Sequence, residues 1–139
     1  MKNLLSLLLL LFLFNACHKD SKIEKTLYKK GGKWEIVNFS QYQWTQNTSF
    51  IKPEFHCTHC GAIEFKKDGS GTMTLTSSDG QKQLISFKYK YQSNLLAIET
   101  NEGNQTYEIT WNYSGTDIEL NQTIPSVGYV AKIRCKRSK

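Results

Sequence analysis

The sequence predicts an all-β protein, an eight-stranded antiparallel up-and-down barrel, behind a short N-terminal export signal. Three observations carry that expectation. Turn-forming pairs recur at short, even intervals: Asp68-Gly69, Asp79-Gly80, Ser93-Asn94, Glu102-Gly103, Ser114-Gly115 and Pro125-Ser126. Between them apolar residues alternate with polar ones, as in Ile85, Phe87, Tyr89 and Tyr91 against Ser86, Lys88 and Lys90. No helical pattern competes in the same region.

Taken in order, the strands are read at 33–39, 61–67, 71–77, 82–91, 95–100, 104–113, 116–122 and 127–135. Ile63 and Phe65 mark the inner face of the second, Met73 and Leu75 that of the third. Leu96 and Ile98 do so in the fifth, Tyr107, Ile109 and Trp111 in the sixth, Ile118 and Leu120 in the seventh, and Tyr129, Ala131 and Ile133 in the eighth. One face is therefore dry and the other wet. Eight such strands hide their edges by closing, and at eight a barrel either fills with side chains or holds one small ligand. A two-sheet sandwich is the alternative packing.

Ahead of the barrel, Lys2 precedes an apolar run from Leu4 to Phe14 broken only by Ser6, ending at Asn15-Ala16-Cys17. The run is too short for a membrane span, which needs about 20 apolar residues, and reads as a signal peptide over residues 1–16. Ala16-Cys17 resembles a relaxed bacterial lipobox, which implies an acylated Cys17 and membrane lipid as its partner. Several acyl chains hold a protein stably, at about 0.8 kcal/mol per buried methylene. His18 stands where an Asp would signal inner-membrane retention, so the expected location is the outer membrane. Residues 17–30 are mostly polar and read as a flexible tether, leaving 31–139 as one domain.

The net charge of +6 and pI of 9.1 arise partly from Lys132, Arg134, Lys136, Arg137 and Lys139. A basic tail could meet acidic lipid head groups or nucleic acid, but an exported protein meets little nucleic acid and charges at a chain end are usually just solvated, so no nucleic-acid partner is expected. A monomer is expected. No set of acid, base and nucleophile suggests an enzyme.

Gly32-Lys33-Trp34 at the start of the first strand resembles the Gly-x-Trp of lipocalins, and Gly61 to Thr72 resembles a strand-hairpin-strand of small lipocalin-like lipoproteins. The resemblance spans residues 31–135. It implies that Trp34, with Gly32, plugs the closed end and that a basic residue late in the last strand covers the indole, for which Arg134 is the candidate. It also implies a small hydrophobic or amphipathic ligand in the barrel mouth, lined by Trp44, Phe87, Tyr89, Tyr107 and Trp111. The same rings could instead fill the interior, giving a compact cell-envelope interaction module.

Residues Ser40 to Cys60 read as a long connection, a candidate lid. It carries His56-Cys57-Thr58-His59-Cys60-Gly61, in which two thiols and two imidazoles offer soft ligands for zinc or copper. A Cys57–Cys60 disulfide, with Cys135 left unpaired, is the simpler reading in an oxidising compartment. Cys135 is expected at the opposite end of the barrel from this cluster.

Overall fold

The computed structural model describes residues 24–43, 52–112 and 114–139. Its strands are β1 (Lys33–Gln43), β2 (Lys52–Phe65), β3 (Ser70–Thr76), β4 (Lys82–Gln92), β5 (Leu95–Thr100), β6 (Gly103–Trp111), β7 (Asp117–Ile124) and β8 (Tyr129–Arg137). Each pairs antiparallel with its neighbour in sequence, and β8 closes on β1, so the barrel is complete and up-and-down. The alternation of apolar and polar residues sets the register. On β4, Phe87, Tyr89 and Tyr91 are buried while Lys88 and Lys90 are exposed. A slip of one residue would exchange those sets, which makes the observed pairing strongly preferred.

Odd-numbered strands run from one end of the barrel to the other, and even-numbered strands return. The end where β1 begins is closed. Trp34 is wholly buried there, and the segment before it is folded rather than loose: residues 24–28 form a helical turn and Lys29–Gly31 a 3₁₀ turn across the barrel bottom. Leu27 is fully buried, and its carbonyl accepts a hydrogen bond from Trp34 Nε1 at 2.9 Å. Of the tether expected over 17–30, residues 24–30 are folded, because Leu27 supplies an apolar anchor and Trp34 a donor that the segment satisfies, while residues 17–23 lie outside the described residues.

Gly32 makes the approach possible. Its φ of +66° is a left-handed conformation, and a Cβ there would lie 1.9 Å from the Phe65 carbonyl oxygen.

The basic residue over Trp34 is Arg137, not Arg134. Its guanidinium carbon lies 4.2 Å from the ring centroid, and its nitrogens donate to the Lys29 and Thr26 carbonyls at 2.7 Å each. Strand parity is the reason. On β8, Ala131, Ile133 and Cys135 point inward, which turns Arg134 out to solvent opposite Glu119 and brings Arg137 to the inner face as the strand ends.

The expected long connection from Ser40 to Cys60 is mostly strand. β1 and β2 extend well past the sequence-based limits and pair from Lys33↔Glu64 to Gln43↔Lys52, with a bulge between Ile36 and Asn38. Cys57 to Cys60 therefore lie inside β2, and Cys135 is not at the far end from them. Ile36 pairs with Gly61 on one side and Cys135 on the other, so one strand separates Cys135 from the cluster at the same barrel level.

Candidate functional site

The interior divides into two halves. Around the closed end it is filled: Trp34 meets Trp111 edge-on at 6.1 Å, and Phe65 meets Tyr89 edge-on at 5.0 Å. The Tyr89 hydroxyl donates to the Lys66 carbonyl at 2.6 Å, and burial, with the charge of Glu24 adding to it, pushes its pKa up to about 12. Trp111 Nε1 is buried without a hydrogen-bond partner among the described residues.

Toward the other end the side chains part and leave a cavity of about 320 Å³. Its walls are Phe39, Phe55, Met73, Leu75, Ile85, Phe87, Ile98, Tyr107 and Ile133, with Gln41, Gln83, Thr100, Glu102 and Gln105 nearer the polar side of the lining. The Tyr107 hydroxyl donates to Gln105 Oε1 at 2.5 Å, and Gln41 Nε2 donates to the Tyr129 hydroxyl at 2.8 Å. Burial pushes the Tyr107 phenol up to about 12, so it stays neutral and able to donate at physiological pH. Among the described residues the lining carries one carboxyl, Glu102, and no cation. Such a site favours a molecule with an apolar body and a neutral hydrogen-bonding end.

Of the residues expected to line a ligand site, Phe87 and Tyr107 are in the cavity wall. Tyr89 and Trp111 are not: each lies near the closed end, Tyr89 against Phe65 and Trp111 against Trp34. Trp44 lies outside the described residues, as does Cys17. The glutamines and the aliphatic wall carry no aromatic ring to mark them in the sequence. Strand direction was the available signal, since in an up-and-down meander the ends of odd strands and the starts of even strands share one rim.

The His-Cys cluster is folded around a bulge. Consecutive residues of an extended strand advance about 3.3 Å each, so positions three apart normally stand too far apart to be bridged. His59 adopts a left-handed φ of +49°, the strand contracts, and Cys57 and Cys60 come within 5.8 Å at Cα and are joined as a disulfide. His56 Nδ1 is bonded to the buried Ser40 hydroxyl at 2.9 Å, and exposed His59 Nδ1 to Glu35 at 2.8 Å. The two cysteines are thus bonded to each other and the two histidines to different partners, and no cluster suited to hold a metal ion occurs among the described residues. Cys135 remains a thiol, its pKa pushed up to about 12 by burial, which suppresses the reactive thiolate.

These features define an eight-stranded up-and-down barrel with a plugged bottom and a partly apolar cavity toward the other end. Among solved structures, a lipocalin-like protein from Bacteroides uniformis ATCC 8492 is similar over 76% of this chain and 96% of its own, with a TM-score of 0.50 and 17% sequence identity. An uncharacterized protein from Bacteroides eggerthii DSM 20697 matches over 75% of this chain and 96% of its own, with a TM-score of 0.48 and 14% identity. The first likeness establishes a lipocalin-like fold. No family model and no curated protein matches the sequence.

Proposed function

We propose that the protein is a lipid-anchored binding protein that holds one small, uncharged amphipathic molecule in the barrel mouth. The observation that carries this reading is the division of the interior: the closed half is packed, yet the mouth keeps about 320 Å³ of space between apolar walls and a set of glutamines. That volume lies near the lower end of small-molecule sites, about 300 to 1,000 Å³. A barrel working only through its outer surface gains nothing from an open half, because unfilled apolar space forfeits packing energy.

The anchor in this reading is Cys17, supported by the Leu4 to Phe14 run and the small residue before the cysteine. Acylation there would fix the protein to the outer membrane. The mouth is tested by Met73→Trp, which adds volume at the cavity wall. The account predicts loss of a bound small molecule with folding retained; undiminished ligand binding by the folded variant would remove the mouth from consideration. Cys17→Ser should release the protein from membranes, and retention of that variant would overturn the anchor.

A further inference from the structure

We infer that the closed end of the barrel is a docking face for an anionic phospholipid surface, so that the mouth opens away from the membrane that carries the anchor. Two observations meet at this end. The first is where the tether leaves. The described part of the plug starts at Glu24, and Cys17 stands 24 − 17 = 7 residues earlier in sequence, a separation of at most about 25 Å however that segment runs. This part of the inference rests on the reading that Cys17 carries the lipid.

The second is charge, and it is independent of the anchor. Lys29 and Lys30 project from the plug and Lys66 and Lys67 from the turn between β2 and β3, all exposed. Gly32 holds the two segments together, its carbonyl accepting a hydrogen bond from the Phe65 amide at 2.9 Å. Lys139 follows on the same side, where the Ser138 amide donates to the Lys33 carbonyl at 3.1 Å. The acidic residues here are Glu24 on the plug, Glu64 opposite Lys33, and Asp68, which lies near Lys66 and is engaged by the Ser70 amide and hydroxyl at 2.9 and 2.6 Å.

Several cations along the barrel wall are, in contrast, matched across strands, while Lys82 faces Thr76 and Lys90 faces Ala97. Lys132 pairs with Glu119 at 3.3 Å, Arg134 faces Glu119, Lys136 faces Asp117 and Glu35, and Lys88 faces Glu99. Lys29, Lys30, Lys66, Lys67 and Lys139 thus gather exposed positive charge at the plugged end. Juxtamembrane lysines near an anionic leaflet each strengthen association by about fivefold, and the effect decays within a Debye length. Arg137 takes no part in docking: its guanidinium is committed to Trp34 and two carbonyls, and it keeps the platform rigid.

The test is lysine footprinting on the mature full chain. The protein is reconstituted into phosphatidylcholine vesicles with and without phosphatidylglycerol, treated with an amine-acylating reagent, and analysed by mass spectrometry. Lys29, Lys30, Lys66 and Lys67 should label at least about fivefold more slowly in anionic vesicles, with Lys82 at the mouth end unchanged. Molar salt should abolish the difference. Uniform labelling, or protection centred on Lys82, would overturn the docking face. Flotation with neutral vesicles reads the anchor alone, so failure of the Cys17 reading is distinguishable from failure of the docking face.

Discussion

Arg137, near the end of the chain, lies 4.2 Å over the ring of Trp34, at the start of the first strand, and thereby joins the two edges whose meeting closes the barrel. The contact does three things at once. It covers the indole, it binds two carbonyls of the plug, and it draws β8 onto β1.

Arg137→Ala should therefore cost about 2 to 4 kcal/mol, combining a cation–π contact with charged hydrogen bonds to the plug. Arg134→Ala, on the outer face, should fall within about 0.5 kcal/mol of the parent. Urea unfolding of the two variants checks the contrast, and equal losses would contradict the assignment of the plug residue.

Two adjacent glycines should differ as sharply. Gly31 and Gly32 both have left-handed backbones, but a Cβ at Gly31 would meet open space and one at Gly32 would meet the Phe65 carbonyl oxygen at 1.9 Å. Gly31→Ala carries only the conformational penalty, about 1 kcal/mol. Gly32→Ala adds a backbone overlap and should cost about 3 kcal/mol or more, read from the midpoint of unfolding.

Stability should fall at alkaline pH. The phenols of Tyr89 and Tyr107 are pushed from 10.0 up to about 12 by burial, and the Cys135 thiol from 9.0 up to about 12. In the unfolded chain these groups release their protons first, so the folded state holds more protons in that window and loses stability as pH rises. Below pH 9 this contribution is intact. From there to pH 12 it is progressively lost, and a urea midpoint that stayed flat from pH 8 to 11 would contradict the burial of these groups.

At the bulge, Cys57→Ser with Cys60→Ser removes a bridge that closes a very short loop, for which the chain-entropy argument gives about 2 kcal/mol. With the disulfide closed, no thiolate is available to a metal, and zinc or copper titration of the oxidised protein should show no uptake through this segment. Uptake lost on replacing His56 and His59 would revive a metal role.

The sequence made the barrel legible because period-two alternation and paired turn residues survive in every strand from β3 to β8. The β1–β2 hairpin was hidden. Its strands run through Pro53, Cys57 and Cys60, and a bulge at His59 breaks the alternation where the cysteines lie. The plug was hidden for another reason: residues 24–30 are polar apart from Leu27 and Tyr28, and only contact with Trp34 and Arg137 gives them a place. Arg137 was recoverable from parity alone, since it shares the inward phase of Ile133 and Cys135. The mouth needed strand direction as well as alternation, which is why Phe87 and Tyr107 were found and Gln41, Gln83 and Gln105 were not.

A small molecule held in the cavity half of the barrel would show in a comparison of native with denatured mass spectra of the mature chain purified from its own membrane. An added mass of several hundred daltons beyond the covalent chain is expected, lost on denaturation and absent in Met73→Trp. Identical masses in the two states, for protein kept throughout in mild detergent, would contradict it and leave the barrel as a module that works through its surface.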